Sequence, residues 1–204
     1  MPFLTAASTQ PDTARSSRHH RYYARWAQRH GVSVERCDDP PALLDEWLAL
    51  YGHLAVRHPI DGIRRFSPKA FREQLAVPGL VAFRAMLGSE TVAIQLWYRH
   101  QGRAYSHLQA TSPAGYEIRA AYALYAYGLE CLAAECDAAA LGAAAGDPQR
   151  GEDGLIAFKR GWASGTLPVH LCGRVVDTAA YTELAERTSP GTSYFPAYRA
   201  GELT

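Results

Sequence analysis

Lysine is almost absent from this 204-residue sequence, in which Lys69 and Lys159 stand against 19 arginines. Most positive charge is therefore carried by planar guanidinium groups, and a lysine marks a place where a compact point charge is wanted instead. Net charge is scarce too. A formal value of +1 gives the chain as a whole no strong pull toward nucleic acid. The four cysteines, Cys37, Cys131, Cys136 and Cys172, lack Cys-x-x-Cys spacing and histidine partners. That pattern argues against a zinc site and leaves four reduced, packed thiols. No metal is expected. No stretch approaches the roughly 20 consecutive apolar residues of a membrane-spanning helix. The opening Met-Pro-Phe-Leu-Thr-Ala-Ala-Ser has neither a basic n-region nor a long apolar run, so no secretory signal is read there and a cytoplasmic location is expected. The length suits one compact domain and leaves no room for two independent catalytic ones. There are no internal repeats, and no Ser-His-Asp or Cys-His arrangement for covalent catalysis is visible.

What is present is unevenly distributed. Residues 1–17, rich in Ser, Thr, Ala and Pro without periodicity, are expected to form a mobile tail. Between Arg15 and Arg36 six arginines face a single acid, Glu35. Within that basic patch, residues 18–31 predict a short helix. Arg18, Arg21, Arg25 and Arg29 lie along one side of it, with Tyr22 and Trp26 on the other and Gly31 as its end. Val32 to Arg36 alternates like a first strand. Asp39 is a candidate N-cap for a helix bearing Leu43, Leu44, Trp47, Leu48, Tyr51 and Leu54 as one apolar stripe. Ser67-Pro68 supplies the N-cap and first residue of a second helix reaching about Leu75.

Three strand-like runs follow, Leu80 to Leu87, Thr91 to His100 and Arg103 to Thr111, joined by turns short enough to force antiparallel hairpins. Ile118, Tyr122, Tyr125, Leu129 and Leu132 predict a long helix to about Glu135. A weak strand at Ala138 to Leu141, a Gly/Pro-rich loop, a helix over Leu155 to Trp162 and a last strand near Val169 to Val176 complete the core. The order predicts an α/β fold with a mixed, mostly antiparallel sheet flanked by helices. It is the order of the GNAT acyltransferases, with residues 32–204 as the single domain.

A series of local segments carries a closer resemblance. Phe66-Ser67-Pro68-Lys69-Ala70-Phe71, the strand Arg103 to Thr111, Leu141-Gly142 and above all Asp153-Gly154-Leu155-Ile156-Ala157-Phe158-Lys159-Arg160-Gly161-Trp162 resemble the C-terminal GNAT domain of Fem-type transferases. The likeness runs from about Arg18 to Gly165. Such enzymes move an amino acid from aminoacyl-tRNA to an amine, in the best-known cases on cell-wall precursors. They usually carry two tandem GNAT domains, so this chain looks like a minimal version, similar to the stand-alone transferases of peptide-antibiotic assembly such as that of pacidamycin. The resemblance implies aminoacyl-tRNA as donor, a small peptidyl or cell-wall amine as acceptor, no cofactor, and a possible homodimer in place of the missing half.

It also implies a catalytic role for Lys159, whose alternative is an ordinary lysine with its stem on apolar surface. Aminoacyl esters are already activated, so the transferase need only position an amine and stabilise the oxyanion. Tyr105, His107 and Gln109 alternate on one strand and are expected to share a face, with Tyr98 beside them. His107 and Tyr105 are candidates for moving the amine proton. Arg160, Phe158 and Trp162 are candidate substrate contacts. Arg18, Arg21, Arg25 and Arg29 are candidate tRNA phosphate contacts, with Tyr22, Tyr23 and Trp26 available to stack on bases. CoA-dependent GNATs usually have an Arg/Gln-x-x-Gly-x-Gly/Ala loop before the long helix. Here Ser112-Pro113-Ala114-Gly115-Tyr116-Glu117-Ile118-Arg119-Ala120-Ala121 lacks the second glycine and carries Glu117. CoA-dependent N-acylation and a non-catalytic RNA- or protein-binding module are the alternatives.

Overall fold

In a computed structural model of the chain, the described residues are 3–9, 16–58, 60, 62, 65–142, 154–169, 173–188, 191–192 and 194–200. Cys172 and the loop from Asp147 to Asp153, with Arg150, lie outside them. Serine opens three of the helices. Ser17 Oγ accepts from the amide of His20 to start α1 (Arg18–Arg29), and Ser67 Oγ accepts from Ala70 to start α3 (Pro68–Leu75). Ser112 Oγ accepts from Gly115 to start the short α4 (Pro113–Glu117). Proline is the first helical residue in the last two, where its missing N–H costs nothing. Asp39 makes no capping bond: it precedes a 3-10 turn, Pro40–Leu43, and α2 (Leu44–Arg57) begins after it.

The central meander is as the sequence predicts. β2 (Val32–Cys37), β3 (Leu80–Leu87), β4 (Glu90–His100) and β5 (Arg103–Thr111) pair antiparallel in succession. α5 (Ala120–Ala133) is shorter than expected because Arg119 adopts a left-handed conformation (φ 58°, ψ 31°) and separates it from α4. β6 (Ala138–Ala140) then pairs parallel to β5. With β1 (Phe3–Thr9) and β7 (Gly165–Val169), the seven-stranded order is β2-β3-β4-β5-β6-β1-β7.

Two expectations change here. Phe3–Thr9, expected as tail, forms β1, with Ser8 opposite Ala140 and Ala7 opposite Thr166. Its composition gives no reason to order alone; ladder partners from the far end of the chain supply the backbone bonds. The last strand, β7, runs Gly165–Val169 rather than Val169 to Val176, and a further helix, α7 (Thr178–Thr188), follows. The helix α7 buries none of its own residues and packs chiefly on the 3-10 turn Ala197–Arg199.

Each face of the sheet has its own core. On one, Phe83, Trp97, Leu124, Leu129, Leu132 and Trp162 pack with Ala24 and Ala27 of α1, so the basic helix belongs to the same folded unit as the sheet. On the other, Trp47, Leu50, Phe71 and Leu75 of α2 and α3 cover Ile94 and Leu96. Among the described residues no helix is long and apolar enough to cross a membrane. Cys37, Cys131 and Cys136 are free thiols, and burial pushes Cys37 up to about 11.

Candidate active site

The parallel ladder between β5 and β6 joins Arg103 to Ala138, Ala104 to Ala139 and Tyr105 to Ala140, and ends there. Beyond that point β5 continues to Thr111, while the chain after β6 turns at Gly142 with φ +79°. Among the described residues no ladder joins the two strands beyond Tyr105 and Ala140, so this end of the ladder, where β5 runs on alone, forms a fork. Lys159, on α6 (Gly154–Trp162), brings its ammonium to this fork. Its Nζ lies 3.5 Å, and the Ser106 carbonyl oxygen 3.8 Å, from the point where a Cβ on Gly142 would sit. A left-handed backbone at 142 is one that L side chains rarely adopt, so glycine is the residue that makes this turn without strain.

Lys159 is held there by the apolar side of α6. Trp162 is 1 % exposed and stacks on Tyr125 at 5.9 Å. Phe158 sits edge-on to Tyr122 and Tyr125, each at 5.0 Å. The expectation that these two aromatics contact substrate is therefore corrected for Trp162, which is enclosed by core side chains. Phe158 is half-buried in the same cluster. Arg160 is exposed on α6, one residue past Lys159.

The shared face expected for Tyr105, His107 and Gln109 is also corrected. The β4–β5 register runs Leu96 to Leu108 and then Trp97 to Ser106, leaving His107 as the extra residue of a bulge. A bulge shifts every later side chain to the opposite face. Tyr105, opposite Tyr98, and His107 remain on the side covered by α2 and α3. Gln109 turns to the other, opposite Gln95, and donates to Thr111 Oγ1 at 3.3 Å. The His107 Nε2 lies 2.8 Å from Gln74 Oε1 and its ring lies 5.0 Å from Tyr98. Burial lowers the His107 imidazole below its ordinary value and raises the Tyr98 phenol. A neutral imidazole with one nitrogen tied to Gln74 has its other nitrogen available to accept a proton.

The loop before α5, from Ser112 to Arg119, is folded onto itself. The amides of Gly115, Tyr116, Ile118 and Arg119 bond to Ser112 Oγ and to the carbonyls of Ser112, Ala114 and Tyr116. Pro113 has no N–H to offer. Gly115 is used for packing, since a Cβ there would collide with the Val92 carbonyl. This is a poor cradle for a pyrophosphate, which needs several free N–H groups converging on it.

The outer side of α1 presents Arg18, Arg21, Tyr22, Arg25, Gln28 and Arg29 around an open hollow of about 900 Å³. Arg21 also donates to the carbonyl of Ser16. Of the three candidate stacking rings, Tyr22 is exposed at 54 %. Tyr23 instead faces Tyr122 at 5.3 Å, and Trp26 stacks on His30 at 4.0 Å.

One residue in this region escaped the sequence reading. His20, on the inner side of α1, is 7 % exposed and fills a box made by Tyr122, Phe158 and Trp162. The available signal was its offset of four residues from Ala24 and seven from Ala27, both buried on the same helical stripe.

An antiparallel meander that runs on into a parallel strand, covered by helices on both faces, is the arrangement of the GNAT fold. The chain matches the acetyltransferase (GNAT) domain family over residues 14–146 and belongs to it. No curated protein sequence matches it. Among solved structures it is similar to FemX, at 14% identity over 81% of this chain and 59% of that one, with a TM-score of 0.64. It is similar also to the C-terminal domain of a putative lysylphosphatidylglycerol synthetase from Agrobacterium fabrum (16% identity, 82% and 59%, TM-score 0.66). A third is the aminoglycoside acetyltransferase meta-AAC0020 from an uncultured soil metagenomic sample, solved with sisomicin (15% identity, 72% and 98%, TM-score 0.54). The chain thus spans about three fifths of the first two. At these identities the likeness is one of fold.

Proposed function

We propose that this GNAT-family acyltransferase domain is an aminoacyltransferase that takes an amino acid from aminoacyl-tRNA and forms an amide on the amine of a small peptidyl or cell-wall acceptor. The observation that carries the reading is the pairing of Lys159 at the β5–β6 fork with a loop before α5 in which the amides of Gly115, Tyr116, Ile118 and Arg119 are already bonded. FemX and the lysylphosphatidylglycerol synthetase domain, as neighbours in fold, support it.

In the proposed step the acceptor nitrogen attacks the ester carbonyl carbon, a C–N bond forms, and the C–O bond to the tRNA ribose breaks. The ribose oxygen leaves with a proton and the product is an amide. Lys159 stabilises the oxyanion that develops between those events. Where the ribose hydroxyl does not take the amine proton, His107, neutral and held by Gln74, takes it from the acceptor side, or the Tyr105 hydroxyl relays it by accepting that proton and passing its own to the leaving ribose oxygen. Arg160 and the arginines of α1 hold phosphates of the donor. A second copy of the chain supplying the part of FemX that this chain does not span belongs to the same proposal, and sedimentation reads it.

The test is to offer the protein a pool of charged, labelled tRNA and, separately, labelled acetyl-CoA, and to follow label into amine acceptors. Transfer from tRNA is expected. Transfer from CoA alone favours the second reading, a CoA-dependent N-acyltransferase, which gains weight because meta-AAC0020 is covered over 98% of its length. Transfer from neither leaves a non-catalytic GNAT-like binding module.

A further inference from the structure

The buried histidine of α1 has no part in the chemistry above, yet it is tied to the helix that carries Lys159. The Phe158 carbonyl can only accept, so His20 Nε2–H donates to it, at 2.9 Å; Nδ1 is then left to accept from the Ser17 hydroxyl, at 2.7 Å. Beside them the Ser17 amide donates to the carbonyl of Gly161 at 2.7 Å. The imidazole lies against Gly161, and a Cβ there would come within 2.0–2.4 Å of three of its ring atoms. The glycine of the Phe-Lys-Arg-Gly-Trp block is thus the seat of this histidine. Two hydrogen bonds and a close ring contact clamp the turn of α6 that contains Lys159 onto α1.

We propose that His20 is a positioning residue: through the carbonyl of Phe158 and the surface of Gly161 it sets the place of the Lys159 ammonium at the β5–β6 fork. A donor bound on the outer side of α1 and the lysine on α6 are then linked through His20, beside the bond from the Ser17 amide to Gly161. Its relevance to catalysis rests on the proposed function, but the linkage itself is read without any turnover.

The titratable groups against the ring are His19 of α1 and Tyr122 of α5, and Lys159 is the charged neighbour along α6. Burial lowers the His20 imidazole below its ordinary value. Protonation puts an N–H on Nδ1, so the Ser17 hydroxyl must give up the bond it donates there and turn to accept a second one beside that from the amide of His20.

Because the chain has only two lysines, isotope-labelled methyl groups added reductively to them give two side-chain NMR signals, which Lys159→Arg assigns. As pH is lowered below about 6.5, the Lys159 signal is expected to shift in step with the His20 ring signals while the Lys69 signal does not. In His20→Gln, whose amide nitrogen can still donate to Phe158 but does not titrate, that step is expected to disappear. A Lys159 signal that stays flat while His20 protonates overturns the proposal. Should the protein unfold before His20 protonates, Gly161→Ala decides at neutral pH, with circular dichroism to verify the fold. A displaced Lys159 signal supports the linkage and an unmoved one overturns it. If Gly161→Ala does not fold, Ser17→Ala is read in the same way. A loss of linkage with tRNA-dependent transfer intact removes His20 and leaves the function standing. Linkage with no transfer does the reverse.

Discussion

Salt dependence gives the sharpest test of the basic helix. Arg18, Arg21, Arg25 and Arg29 span all 12 residues of α1, about 16 Å from first to last at 1.5 Å per residue, enough to follow several phosphates of an extended strand. If all four release counterions on a single-stranded RNA, log K falls with log[salt] at about −0.7 per contact, or about −2.8. Between about 50 mM and about 200 mM salt that is roughly a fiftyfold loss of affinity. The right variant is Arg25→Ala/Arg29→Ala, because both side chains are exposed whereas Arg21 also bonds the Ser16 carbonyl and its removal disturbs the approach to α1. Halving the contacts halves the slope to about −1.4, and the same salt step then costs about sevenfold. Fluorescence anisotropy of a labelled RNA oligonucleotide of tRNA acceptor-end sequence measures both slopes. Equal slopes in parent and variant would falsify the assignment of α1 to RNA, whatever the absolute affinity.

Lys159→Met is expected to lower turnover at least tenfold with the circular dichroism spectrum unchanged, since removing one group aimed at developing oxyanion charge typically costs about 10²–10³ in kcat; normal turnover would leave Lys159 as a surface lysine. Trp162→Ala is expected to cost about 3–5 kcal/mol of stability because the indole is enclosed by core side chains, and a shift in urea midpoint corresponding to less than about 1 kcal/mol would contradict that packing. Burial lowers both His20 and His107, so between their folded values and the unfolded value near 6.5 the unfolded chain binds more protons. Their contribution to stability is complete above about pH 6.5 and is lost as pH falls below it. Urea midpoints measured from neutral to mildly acid pH should decline, less steeply in His107→Gln; a flat profile in the parent contradicts the burial of both rings.

The sequence is most legible where a local rule decides. The Ser67-Pro68 start of α3, the limits of β3 and β5 to the residue, and the α6 block all follow from capping, turn length and helical spacing. It is least legible where one residue's place depends on distant chain. The bulge at His107 needs a count of residues on two strands at once, and Arg103 to Thr111 alone reads as plain alternation, which sends Gln109 to the wrong face. His20 reads as one more member of a basic patch until α6 is packed beside it. β1 forms because β6 and β7 offer unpaired edges, which nothing in Phe3 to Thr9 announces. α5 is cut short at Arg119 by a left-handed turn that its neighbours Ile118 and Ala120 do not signal. Of the candidate site, the lysine and its helix were within reach of the sequence, and the fork beneath it was not.

The clamp between α1 and α6 also fixes an order of events during synthesis. His20 leaves the ribosome 138 residues ahead of the carbonyl it bonds, a gap of about 7–28 s at typical elongation rates. Through that interval the imidazole has no α6 to cover it, Ala24 and Ala27 wait for α5, on which α1 chiefly packs, and the arginine side of the same helix is already exposed. A helix formed there before α5 and α6 arrive would present an apolar stripe and a cationic stripe back to back, so the contacts that bury its inner side are among the last the chain can make.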